Sequence, residues 1–245
     1  MRPQSDLAAP GYAVPTAAIG FRPEFLDFRR GIHVGNLEDN ERITRILKLG
    51  IEARYQQPFV TERWGRGVYW QWIGYLPRAN REAKPISNRV SFGCSKFFLS
   101  LDTDERLFKC GVQVERGFLR APRDFPACKL DRDWDWHRLM AALRPSGRMD
   151  KELKRLVTRE GFRIRAGSWG DDPVYLSRSN FTGIAGIVRA LKAANANEWA
   201  GFQLFYAMDE KEVLSSTGGD LVESMMAVFA EVTPVMNLCM QIELA

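Results

Sequence analysis

Residues 63–85, "RWGRGVYWQWIGYLPRANREAKP", hold the side chains whose types and spacing best suit a ligand that is both charged and ring-bearing. Trp64, Tyr69, Trp70, Trp72 and Tyr75 fall within twelve positions. Arg63, Arg66, Arg78, Arg81, Lys84 and Arg89 flank them, against the single acid Glu82. Guanidinium groups in loops reach phosphate oxygens, often bidentately. Exposed rings stack on unpaired bases. The combination predicts a nucleic-acid-binding surface, DNA or RNA, with Arg63, Arg66, Arg78, Arg81, Lys84 and Arg89 on phosphates and Trp64 and Tyr75 as stacking residues. Against this stands a plainer alternative: a core strand whose two flanking loops are merely solvated. Trp70 and Trp72 are expected on the buried face.

Other chemistry finds weaker support. Asp102, Asp104 and Glu115, with Lys96 or Lys109, are the carboxylates a metal-dependent nuclease would need. Metal-assisted hydrolysis requires such groups to converge. The strand register separates Asp102 from Glu115, and Arg116 and Gly117 follow Glu115 where an E-x-K spacing would place a lysine. Cys94, Cys110, Cys128 and Cys239 are widely spaced without a C-x-x-C, which argues against zinc. His33 and His137 stand alone. "GIAG" and "STGGD" lack the lysine and spacing of a phosphate loop. "GSWGDDPVY" (167–175) reads as a turn, with a ligand-binding loop as the alternative. Neither a metal nor a cofactor is expected.

Net charge is +5, unevenly distributed. Residues 193–245 carry one base and eight acids, while the first 192 carry 34 bases and 22 acids. This suggests an anionic partner for the basic part, or mutual neutralisation of the two parts in the fold. A second basic segment, 144–165, would form a groove with the first only if both shared a face. The acidic, Met-rich C-terminal helix (Met225, Met226, Met236, Met240) offers an alternative function, a protein-interaction surface in a larger complex. The composition, the absence of a signal-like N-terminus and the lack of a long unbroken apolar run predict a soluble, cytoplasmic protein without a membrane partner.

These side chains must be positioned by an α+β fold with an antiparallel sheet. Residues 1–30 are expected as a flexible arm and 31–245 as one domain. Strands are predicted at 67–77, 95–102 and 107–116, and further ones at 162–166 and 200–208. The second and third form a hairpin whose register follows from matching apolar positions: Leu101 with Phe108, Leu99 with Cys110, Phe97 with Val112. Lys96 then meets Gln113 on the opposite face. Helices are predicted at about 37–56, capped by Asp39 or Asn40; 131–143, capped by Asp131; 149–160, ended by Gly161; and 181–194. A long C-terminal helix should kink or split at Pro234.

Overall fold

The computed structural model describes residues 20–87, 89–170 and 173–245. Its strands are β1 (Leu26–Asp27), β2 (Gly31–His33), β3 (Phe59–Arg66), β4 (Tyr69–Pro77), β5 (Lys96–Asp102), β6 (Leu107–Gly117), β7 (Arg163–Ser168), β8 (Val174–Leu176) and β9 (Ala200–Asp209). The helices are α1 (Ile43–Tyr55), α2 (Arg78–Glu82), α3 (Asp135–Ala142), α4 (Arg148–Thr158), α5 (Ile184–Ala193), α6 (Glu210–Leu214) and α7 (Gly218–Cys239). All nine strands join one antiparallel sheet, ordered β1-β2-β4-β5-β6-β9-β7-β8, with β3 paired along β4. The fold is α+β, as the sequence predicts.

The predicted hairpin register is the one observed, down to Lys96 opposite Gln113 and Ser100 opposite Lys109. Strand alternation sends Phe97, Leu99, Phe108, Cys110 and Val112 to one face, where they share a core with Leu204 and Ile164 of β9 and β7. Helices α1, α3, α4, α5 and α7 cover that face with their apolar stripes. Phe97 sits where they meet, stacked on Phe229 of α7 at 4.7 Å and beside Tyr55 and Phe59 at 5.9 and 6.2 Å. Such pairs contribute about 0.5–1.5 kcal/mol each beyond simple burial.

Several expectations need correction. Phe21, Phe25, Leu26 and Phe28 are buried in the core, so residues 20–30 are packed; the rest of the expected arm, 1–19, lies outside the described residues. Helix α1 begins at Ile43 with Arg42 at its cap position, and Asp39 instead pairs with Arg42 and Arg45. Helix α3 begins at Asp135, later than Asp131 would place it. The structure adds β3 where the sequence pattern predicts no strand. Helix α7 is not split at Pro234 but runs through it for 22 residues. Burial of Val232, Val235 and Met236 on either side offsets the proline penalty of about 3 kcal/mol. Its start is fixed by a capping box, in which Thr217 Oγ1 accepts from the Asp220 N–H and Asp220 Oδ2 from the Thr217 N–H.

By length and composition α7 is also apolar enough to cross a membrane, which a count of unbroken apolar runs does not reveal. Here it lies on the core, with Met225, Met236 and Met240 buried and Met226 partly so. The methionines proposed for a partner are therefore largely used inside the chain. Part of the charge asymmetry is also settled internally. Arg155 of α4 donates to Glu231 of α7 at 2.8 Å, and Arg106 pairs with Glu210 of α6.

Candidate functional site

Lys96, Gln113 and Gln203 point away from the helices yet are nearly inaccessible, at 1%, 4% and 7% exposure. They form the floor of a cleft of about 810 Å³ on the face of the sheet opposite the core-covering α-helices. Among the described residues no α-helix contributes to its lining. β3 supplies Glu62, Arg63 and Trp64; β4 supplies Trp72; β6, Gln113 and Glu115; β9, Gln203; and β7, Arg165. Phe92, Trp169 and Trp199 close the ends.

The floor is one hydrogen-bonded network. Lys96 Nζ donates to Glu62 Oε2 at 2.8 Å and to Glu115 Oε2 at 2.7 Å. Glu115 Oε1 accepts from Gln113 at 2.9 Å and from Trp199 Nε1 at 3.3 Å. Gln113 Oε1 accepts from Trp72 Nε1 at 3.1 Å and from Gln203 at 2.6 Å. Burial alone would lower the Lys96 pKa, but Glu115 and Glu62 outweigh it and hold the ammonium above its ordinary value. Lys96 is thus a permanent cation, unsuited to act as a base or an amine nucleophile near neutral pH.

The walls are aromatic because two glycines let indoles lie on the backbone. A Cβ at Gly201 would stand 2.5 Å from Trp169 Cζ2, and one at Gly74 would stand 2.3 Å from Trp72 Cη2. Trp64 lies directly across from Trp72 in the β3–β4 register and is 69% exposed. Arg165 lies over Trp169 at 4.7 Å and beside Tyr175 at 5.7 Å, and donates to the Trp169 carbonyl at 3.1 Å. Arg63 lies over Trp70 at 4.4 Å. The cleft therefore combines a floor of net charge −1 (Lys96, Glu62, Glu115) with a cationic rim (Arg63, Arg165) and stacking surfaces between them.

The predicted site residues divide among several locations. Arg63 and Trp64 line the cleft. Arg66 is exposed at the end of β3, opposite Tyr69. Arg78, Arg81 and Arg89 lie beyond the other end of β4, whose nine residues span about 26 Å at the usual strand rise; Arg81 there donates to the Arg89 carbonyl at 2.7 Å. Two expected contacts are withdrawn from the surface. Tyr75 is fully buried opposite Phe97, under the helices, while Trp72 takes the open face expected for it. The expected faces of β4 are thus reversed, because both carry large apolar groups and only the pairing of Ile73 with Leu99 and Tyr75 with Phe97 decides between them. Lys84 is fully buried and donates to Asp135 Oδ1 at 2.5 Å. Asp135 also accepts from Asn80 at 2.8 Å and from the Ser95 N–H at 2.6 Å, so this lysine anchors the interior.

The second basic segment is divided. Helix α4 lies in the helical layer, whereas Arg163 and Arg165 of β7 reach the open face. Trp169, from the segment read as a turn, is a cleft wall, and its neighbours Asp171 and Asp172 lie outside the described residues. The nuclease carboxylates are not brought together. Asp102 pairs with Lys109 at 2.8 Å at the hairpin turn, while Glu115 is held in the cleft floor. Burial opposes ionisation of Asp102, but N–H donors from Glu105 and Asp104 and the Lys109 ammonium bring its pKa below the ordinary carboxylate value. Among the described residues, no three His, Cys, Asp or Glu side chains are grouped to hold a metal ion.

Glu62, Phe92, Gln113, Trp199 and Gln203 are cleft residues that the sequence marks for no ligand; Lys96 and Glu115 stand in it only as nuclease candidates, Arg165 as part of the second basic segment and Trp72 as core. One signal was present: the hairpin register already set Lys96 against Gln113, a polar pair in the middle of a sheet. Comparison with protein-family models, with curated proteins and with solved structures finds no match to this chain.

Proposed function

We propose that this protein binds single-stranded nucleic acid on the face of its sheet opposite the core-covering α-helices, an unpaired base entering the aromatic cleft while adjacent phosphates meet Arg63 and Arg165. The observation that carries the reading is the convergence of Trp64, Trp72, Trp169 and Trp199 with two guanidinium groups in one cleft. Each base stacked on such a ring contributes about 1–3 kcal/mol, and stacking requires a base face that a duplex keeps covered. The overall charge of +5 favours a polyanion at long range.

The test is fluorescence anisotropy with labelled single-stranded and duplex oligonucleotides at low and moderate salt. Preferential, salt-sensitive binding of the single strand, weakened by about fivefold or more in Trp64→Ala, supports the reading. Equal affinity for duplex and single strand, with Trp64→Ala silent, refutes it.

A further inference from the structure

We propose that the cleft selects guanine, an inference that rests on the single-strand reading and adds the identity of the base. Carboxylates only accept hydrogen bonds and indole N–H groups only donate them, so both fix the direction of their neighbours. Glu115 Oε1 receives the Gln113 amide N–H at 2.9 Å, which leaves the Gln113 oxygen for its other contacts. That oxygen receives Trp72 Nε1 at 3.1 Å. Gln203 meets the same oxygen at 2.6 Å, so it too offers its amide N–H and turns its own carbonyl oxygen outward. At the far end Lys96 commits one oxygen of Glu62. Among the described residues, the second Glu62 oxygen and the Gln203 carbonyl oxygen have no partner. Each glutamine also keeps one N–H, but the charged Glu62 oxygen is the strongest of these open positions.

This inventory sets the orientation of a bound nucleotide. The floor has net charge −1 and repels phosphate, which the cationic rim attracts. The base therefore points inward with its donor edge first. Guanine presents two adjacent donors, N1–H and the 2-amino group, to a carboxylate. Adenine and cytosine place a ring acceptor beside their amino group. Uracil and thymine flank their single N–H with two carbonyl oxygens. Stacking on the indoles does not discriminate among bases, so the choice falls to Glu62, whose open oxygen takes one guanine donor while the oxygen held by Lys96 accepts the other on its remaining lone pair.

The test uses the full chain and short adenosine oligomers carrying guanosine, inosine, cytidine or uridine at the centre, with affinity from anisotropy and cleft occupancy from tryptophan quenching. Guanosine should tighten binding about tenfold over the all-adenosine oligomer. Inosine, without the 2-amino group, should lose most of that gain. Glu62→Gln should remove the guanosine advantage, so that guanosine and adenosine oligomers bind alike whatever the variant's absolute affinity. Equal affinity across the series, with quenching intact, overturns guanine selection and leaves the single-strand reading standing. No binding of any oligomer overturns both, and the wild-type series decides the question even if the variant misfolds.

Discussion

Replacing Lys96 by Met keeps much of the side-chain volume but removes the cation between two carboxylates. Glu62 Oε2 and Glu115 Oε2 lie 2.8 and 2.7 Å from Lys96 Nζ, so the two oxygens are no more than 5.5 Å apart. Two like charges at about 5 Å, with an effective dielectric near 20, repel by about 3 kcal/mol. Glu62 keeps 22% side-chain exposure and so retains some hydration, which reduces the expected loss to about 2–3 kcal/mol. The pH dependence follows by linkage. In the wild type the folded-state pKa of Lys96 is raised, so its contribution is complete below about pH 10 and constant between about pH 5 and 7. In the variant the two carboxylates face each other with no cation between them. The penalty needs both charges, so acidification, which removes them, relieves it. Urea unfolding followed by tryptophan fluorescence at about pH 7 and pH 5 measures both effects. A loss below about 1 kcal/mol, or a deficit that grows on acidification, refutes the reasoning.

Asp135→Ala leaves Lys84, the Asn80 amide and the Ser95 N–H buried without their acceptor, and should cost about 3–5 kcal/mol by urea unfolding. Gly201→Ala puts a methyl group 2.5 Å from Trp169 and 2.8 Å from the Val114 carbonyl. It should cost about 1–3 kcal/mol, shift the tryptophan emission and weaken oligonucleotide binding. Burial pushes the Cys94 thiol up to about 12 and raises the pKa values of Cys110 and Cys239, whereas Cys128 is only partly buried. A thiol-specific chromogenic disulfide reagent at neutral pH should therefore label Cys128 in the folded protein and the other three only after denaturation.

The sheet was legible wherever local pattern and partner agree. The β5–β6 hairpin could be registered residue by residue because each apolar position has one apolar partner. β3 escaped because it is an edge strand: its last four residues, Arg63 to Arg66, are exposed, so no apolar alternation marks it. Alternation alone assigns the faces of β4 in reverse because the strand is apolar on both, and its orientation is set by β5, twenty and more residues away. As a nucleic-acid surface the cleft is legible in the sequence only at Arg63 and Trp64; Lys96, Glu115 and Trp169 stand out there for other reasons. Its floor is assembled from β3, β5, β6 and β9, and side chains so far apart in sequence give no local motif. Lys84 shows the converse: a lysine in a basic loop looks like a phosphate ligand until its buried partner Asp135, 51 residues on, is known.

The most direct test of the cleft as the contact surface compares two double variants in binding a labelled single-stranded oligonucleotide across a salt series. Arg63→Ala with Arg165→Gln removes the cationic rim, whereas Arg78→Ala with Arg81→Ala alters the basic group beyond the far end of β4. The first should weaken binding at least tenfold and reduce the slope of log affinity against log salt by about 1–2, while the second leaves both nearly unchanged. Loss of binding in the Arg78/Arg81 variant, with the Arg63/Arg165 variant intact, would contradict the account and move the contact surface to the far end of β4.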